Sequence, residues 1–437
     1  MLIYPICAVL VLELSHEPIF KTLADAVRHH FATDLFSMSV SPIIRFASLV
    51  NSKKIRLPDD LYKQMREWLQ LKASEITDPQ DVVSVLTCWN KNDSWFNMFV
   101  EKAKGSISGM CSAELVGMLA SLANNLSRPP HVLRLIGSAI EQNRPNLTLI
   151  VLAQSAARLH FMDAGLRRLV ADETVANITR FSKWSQINAL VYSLAKLRIG
   201  ELRTWKAAAA WINNNQMNAT DAELSYALYW CAMAGKCSLV QEAAEFLSEK
   251  LKPFQFDSAK TWLSSIYALA ICERLSPELA ETVLQASFVA DVLQGLSGFR
   301  KLMTVTTVAQ MQLFLKVILN KASEGPTLSI TNLMQLPPAI LDDMAMKLRY
   351  GRSEEGNVQY FHSLLHKLIP VNSHAFPPAL TEDGIFVNAV MKFDTKTNRF
   401  VPLCQFESVK ASRLAVIYLS WKDSTLMVSV LLQLTSS

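Results

Sequence analysis

Along most of this chain apolar residues recur three and four positions apart, the spacing that lines one face of an α-helix. Six stretches share a finer pattern: a large apolar residue, a small one, then another apolar pair. They lie at 85–90, 118–124, 151–158, 189–196, 227–233 and 265–270. Taking the small residue of each as its anchor gives Thr87, Ser121, Ser155, Ser193, Cys231 and Ala268, in steps of 34 to 38 residues. That step is the length of a two-helix repeat, and its drift argues against tetratricopeptide and ankyrin arrays, which hold their period. A small residue at one register has a physical reason. It lets neighbouring helix axes approach to the short end of their usual separation of about 8–10 Å.

Between the anchors run second amphipathic stretches, for example 131–141, 164–171 and 239–251. A helix pair cannot bury its apolar face alone, so the pairs must stack. Helix starts are expected at Asp78, Ser112, Asn146, Ser182, Asp221 and Asp257, whose side-chain oxygens can accept from the free N–H groups of a first turn. The expected fold class is mainly α: an α-solenoid of two-helix repeats with a small C-terminal α+β appendage. Its expected divisions are an N-terminal helical segment at 1–77, broken by Pro42 and Pro58, a repeat array at 78–298, a further helical region at 299–380 and a β-containing segment at 381–437.

The texture changes past about Pro326. Residues 330–349 and 357–369 read as helices, and Pro370, Pro377 and Pro378 end helicity. Residues 384–393 read as a strand, 394–398 as a turn and 399–403 as the return. The continuous apolar run at 413–421 suits a buried strand, and 426–434 suits a second strand or a short helix.

Composition agrees with helices. Half the residues are apolar and 19% are charged, which excludes a disordered chain, and 13 Gly in 437 residues leave few turns. The apolar stretch at 1–12 is shorter than the roughly 20 residues that span a bilayer, so no membrane insertion is expected. It carries neither the leading Lys or Arg of a secretory signal nor the Arg-rich character of a transit peptide.

Chemistry is sparse. The seven Cys form no C-x-x-C pair and read as reduced core thiols. His29 and His30 would point about 100° apart on a helix, and the eight His do not gather into a cluster of metal ligands. The Gly-rich and catalytic loops of a kinase, the P-loop and the nucleophile elbow are all missing. The acid pairs Asp342-Asp343 and Glu354-Glu355 read as surface charge. No catalytic residue, metal or cofactor is expected, and the chain is not expected to be an enzyme.

Charge supplies the one functional clue. The net +5 hides a basic middle, twelve Lys and Arg against five acids over 126–206, beside an acidic stretch, five against ten over 207–298. Three residues past the anchor stand Asn90, Asn124, Arg158 and Lys196; five past it stand His160, Arg198 and Lys236. Cations there complement the helix macrodipole, each by under about 1 kcal/mol. The same cations could form a stripe that follows a phosphate backbone. On that reading Arg158, Lys196 and Arg198, with Arg167 and Arg168 on the adjoining helix, contact RNA. Phe161, Phe181, Trp184, Tyr192 and Trp205 lie near enough in sequence to stack on bases, although core packing is the simpler use of each. The alternative is a protein-binding scaffold with no nucleic-acid role, since such arrays hold peptides as readily.

The order of motifs resembles a known family. The segment ALAICERLSPELAETVLQASFV at 268–289 is similar to the leucine-rich region of the FAST-kinase-domain proteins, where a helix is followed by Pro and then spaced apolar residues. FRKLMTVTTVAQ at 299–310 resembles the next helix of that family, and 384–403 its later hairpin. RLAVIYL at 413–419 looks like the first strand of the RAP domain that closes those proteins. The resemblance covers roughly 110–420. It implies a mitochondrial matrix protein that binds single-stranded RNA, namely organelle transcripts, and governs their processing, stability or translation beside protein partners of the RNA machinery. A full RAP domain would continue past Asp423 with a Gly-Lys stretch, a basic helix and a Glu-Trp ending. Here Ser424 opens a different text, so a truncated RAP domain without its nuclease-like core is expected.

Overall fold

The computed structural model describes residues 40–52, 59–88, 96–143, 148–253, 255, 258–317, 329–350, 355–369, 374–408 and 411–418, with Pro18, Thr22, Asp25, Ala26 and His29 before them. Outside the described residues fall several expectations: those for 1–12, Cys7, His30, Pro58, Asn90, Asn146, Asp257, Pro326, Glu354, Pro370 and everything past 418.

The described chain is mainly helical, with its strands confined to the C-terminal portion. It divides into two compact units, Met1–Ser182 with Tyr192–Thr204, and Lys183–Val191 with Trp205–Ser437. The first unit holds α1 (Val40–Ser52), α2 (Asp59–Lys72), α3 (Pro79–Cys88), α4 (Phe96–Ser106), α5 (Ser112–Asn124), α6 (Pro130–Gln142), α7 (Leu149–Leu159) and α8 (Ala164–Asn177). Helices α9 (Trp184–Lys196) and α10 (Leu202–Asn215) each give residues to both units.

In the first unit α1 packs on α3, α3 on α5 and α5 on α7, while α4 packs on α6 and α6 on α8. That alternation is what stacked helix pairs require. Anchor serines Ser121, Ser155 and Ser193 are buried. The Ser121 hydroxyl donates back to the Gly117 carbonyl at 2.8 Å, so the residue is satisfied within its own helix and contributes smallness to the contact. One turn earlier, a Cβ on Gly117 would meet Val83 of α3 at 3.2 Å, which shows how closely α3 and α5 approach.

The anchor helices end alike. Leu126, His160, Arg198 and Glu273, each five residues past its anchor, take the left-handed conformation, with φ of 50°, 48°, 53° and 58°. Around them Ser127 N–H donates to the Leu122 carbonyl, Phe161 to Ala156, Ile199 to Leu194 and Arg274 to Leu269, all at 2.9–3.0 Å. This is the Schellman ending, here built without glycine. In the Cys231 repeat it comes one residue earlier, on Gly235 at φ 68°.

Asp78 caps α3 as expected, accepting from Gln80 N–H at 2.7 Å, and other starts fall one residue away. Cys111, not Ser112, caps α5, where its N–H donates to Glu114 at 2.8 Å. In the second unit Thr220, not Asp221, caps α11 (Asp221–Met233), in a capping box with Glu223. Asp221 is instead the first helical residue and pairs with Lys250 at 2.7 Å. Ser258 caps α13 (Ala259–Ile271).

The second unit continues with α12 (Gln241–Lys250), α14 (Pro277–Thr282), α15 (Ala286–Leu293) and α16 (Gly298–Val317). α11 packs on α12 and α13, and α13 on α15 and α16. The buried anchor-side hydroxyls Ser225 and Ser265 meet across α11 and α13 at 2.6 Å. The single helix expected at 330–349 is two: α17 (Ile330–Met334) and α18 (Pro338–Tyr350), parted by left-handed Gln335 and by Pro337, which lacks the N–H a helix needs. With α16 they enclose a core of Leu302, Val305, Ile330, Met334 and Leu341. α19 (Glu355–Leu368) follows.

The expected strand at 384–393 is also two. β3 (Phe386–Val387) pairs with β2 (Ala379–Leu380). After a bend at buried Asn388, β4 (Ala389–Asp394) joins a different sheet with β1 (Ala375–Phe376), β5 (Arg399–Phe400) and β6 (Ser412–Val416), all antiparallel to it. Asn388 holds the bend, because its N–H donates to Val416 at 2.8 Å and its Oδ1 accepts from Tyr418 N–H at 2.7 Å. β6 was expected to be buried. Its residues are half-buried or exposed, and among the described residues it pairs only with β4.

Candidate nucleic-acid interface

All five candidate RNA-contacting residues lie in the first unit, at or beside anchor-helix ends. Arg158, in the last turn of α7, is exposed. Its Nη1 donates to Asn124 Oδ1 at 2.8 Å, so the positions three past the anchor touch across successive repeats. Arg167, on α8, is half-buried and its Nη2 donates to the Arg198 carbonyl, while its Nε is buried without a hydrogen-bond partner. Arg168 beside it is exposed. Lys196 ends α9 half-buried. Burial first, and then the charge of Arg198, hold its ammonium below the usual lysine range. Arg198 is the left-handed residue just beyond. Arg167, Lys196 and Arg198 therefore form one group, and Arg158 forms another with Asn124 and Arg128.

Arg128 shows what much of this positive charge does. Its Nη2 donates to the Arg158 carbonyl at 3.3 Å, across 30 residues. Arg167 makes the equivalent bond to Arg198 across 31 residues. In the second unit Gln241 Nε2 donates to the Cys272 carbonyl at 3.2 Å, again across 31 residues. A side-chain donor in one repeat thus satisfies a free carbonyl at the end of the next anchor helix, and a guanidinium adds favourable charge against the negative helix end. The sequence signal that marks Arg128 is its spacing of 30 residues from Arg158, close to the 31 between Arg167 and Arg198. Arg203 is similarly occupied. It is bonded to Glu201 at 3.0 Å and to Asp172, and these two acids, Glu201 foremost, raise its pKa.

The column five past the anchor is a helix-ending position filled by Leu, His, Arg and Glu, rather than a continuous basic row. Lys236 stands outside that conformation, at φ −118°. Among the aromatics, Trp205 is buried and Trp184 is buried edge-on to Trp211 at 5.1 Å, so both are core residues. Phe161, Phe181 and Tyr192 are half-buried. The aromatics that sequence reasoning missed are Tyr226, Tyr229, Trp230 and Tyr267 on α11 and α13, which contact one another in turn at 5.1–6.1 Å. Burial pushes the Tyr267 hydroxyl up to about 12, and it donates to Gln310 at 2.9 Å.

Among the described residues no group of three or more His, Cys, Asp or Glu is placed to hold a metal. No described helix is long and apolar enough to cross a membrane. The class that fold and site define is a mainly helical, repeat-like protein with a small C-terminal strand portion and basic residues gathered at helix ends of its first unit. No protein-family model matches the chain, and no curated protein matches it.

Proposed function

We propose that this chain is a non-enzymatic RNA-binding α-solenoid of the FAST-kinase-domain type, acting on mitochondrial transcripts in the matrix, in their processing, stability or translation. The observation that carries the reading is the placement of Arg158, Lys196 and Arg198 at the ends of successive anchor helices, with Arg167 and Arg168 near the start of the adjoining α8. A single strand running along that edge would meet cations at repeat intervals, with its bases free to stack. The resemblance at 268–310 and 384–419 supports the cellular role. The alternative, a protein-binding scaffold, is favoured by one observation: the guanidiniums of Arg128 and Arg167 already serve helix-end carbonyls. Fluorescence anisotropy of the purified chain with labelled single-stranded and duplex RNA at low salt separates the two. The RNA reading expects binding of the single strand, weakening steeply with salt. Failure to bind single-stranded RNA at low salt leaves the scaffold reading.

A further inference from the structure

Three thiols gather where the Cys231 and Ala268 repeats meet. Cys231 is buried within α11, Cys237 is half-buried just past the helix end, and Cys272 is the buried residue that caps α13. The backbone fixes the last two side by side. One amide nitrogen, Gln241 Nε2, donates to the Cys237 carbonyl and to the Cys272 carbonyl, each at 3.2 Å. Cys237 Sγ lies 3.5 Å from the carbonyl of Ile271, the neighbour of Cys272. Neither thiol is in a disulfide, and each perturbs the titration of the other.

We propose that Cys237 and Cys272 are a redox-modification site, oxidised by small-molecule disulfides of the glutathione type to a disulfide that staples one repeat to the next. Cys237 is the attacking sulfur, being the one solvent reaches. The neighbouring Cys272 thiol, the largest influence on it, holds its pKa below the usual thiol value and so favours the thiolate. The Cys237 thiolate attacks one sulfur of the oxidant, its S–S bond breaks, and one thiol leaves with a proton. The Cys272 thiol then loses its proton and attacks Cys237 Sγ, breaking the mixed disulfide and releasing the second thiol. Two protein thiols are oxidised and one disulfide is reduced to two thiols. In the reduced state the pKa of Cys272 is raised, chiefly by the neighbouring Cys237 and then by burial, so it stays protonated. Forming the mixed disulfide removes the first of these influences, so the second step becomes easier once the first has occurred.

The test is incubation of the full chain with oxidised glutathione, digestion without reductant and mass spectrometry. The expected product is a peptide pair linked through Cys237 and Cys272, which returns to free thiols with dithiothreitol. Exposed Cys111 and Cys404 serve as internal comparison, acquiring glutathione without linking. The Cys272→Ser variant should accumulate glutathione on Cys237, and Cys237→Ser should leave Cys272 unmodified. Circular dichroism of both variants checks that they fold. A wild-type chain that holds glutathione on Cys237 with no linked peptide, or that leaves Cys237 unmodified while Cys111 reacts, overturns the proposal. So does a link made through Cys231 instead.

Discussion

Gly384 lies in the turn between β2 and β3, where the hairpin touches α16, and replacing it by alanine separates two costs that usually come mixed. Its φ is +76°, and a Cβ there would stand 2.6 Å from the Thr306 carbonyl oxygen and 3.2 Å from two more backbone atoms of Thr306. Those atoms belong to a helix and cannot swing aside as a side chain could. Gly235 is the control: its φ is +68°, and a Cβ there would meet nothing within 4 Å. The left-handed strain, about 1–2 kcal/mol, falls on both substitutions. Only Gly384→Ala adds overlap, about a further 1–3 kcal/mol. The Gln310 bond to the Gly384 carbonyl, 3.0 Å, would be displaced with it. Hydrogen exchange read by mass spectrometry reports local opening directly. Gly235→Ala should speed exchange near Lys236 and Cys237 by about 5- to 30-fold, the factor that one to two kcal/mol represents. Gly384→Ala should speed exchange across β3 and β4 by more than that, leaving α11 and α13 unchanged. Equal effects at the two sites would show that the contact with Thr306 imposes no cost, and the docking of the hairpin would have to be redrawn.

Two further outcomes follow from buried polar groups. Trp262 Nε1 donates to Thr282 Oγ1 at 2.7 Å with both residues buried, so Thr282→Val should cost about 1–3 kcal/mol by stranding the indole N–H. Thr282→Ser should cost less, and equal urea midpoints for the two variants would refute the bond. Burial holds the folded pKa of Lys196 below its unfolded value near 10.5, so the folded state disfavours the ammonium at neutral pH. That cost is present below the folded pKa and disappears as pH rises through it towards the unfolded value. Lys196→Met should therefore stabilise the chain at neutral pH, with the gain shrinking in alkaline urea titrations. A gain that grows with pH contradicts the assignment.

The repeat was legible because its anchors are small for a packing reason, and Ser121, Ser155 and Ser193 are indeed buried. Its ending was not legible, because the sequence signal for a left-handed helix end is glycine and these positions hold Leu126, His160, Arg198 and Glu273. Caps slipped by one residue for a related reason: Thr220 and Asp221 are both good capping residues, and only backbone dihedrals distinguish them. The split of one strand at Asn388 was hidden by continuous apolar runs on both sides of it. Charge counting found the basic middle of the chain. It could not see that Arg128 and Arg167 reach carbonyls one repeat away, or that Arg203 meets Asp172.

The proposed RNA edge is tested most directly by the salt dependence of binding in the variant Arg158→Ala, Lys196→Ala, Arg198→Ala, compared with the unaltered chain on one single-stranded RNA. Each lost phosphate contact should flatten the slope of log K against log salt by about 0.7, so the triple variant should bind more weakly with a slope reduced by roughly 2. Helicity should be retained, because charges at helix ends contribute only about 0.3–1 kcal/mol each. A folded variant that keeps the affinity and salt slope of the unaltered chain would contradict the account and leave these residues as helix-end chemistry alone.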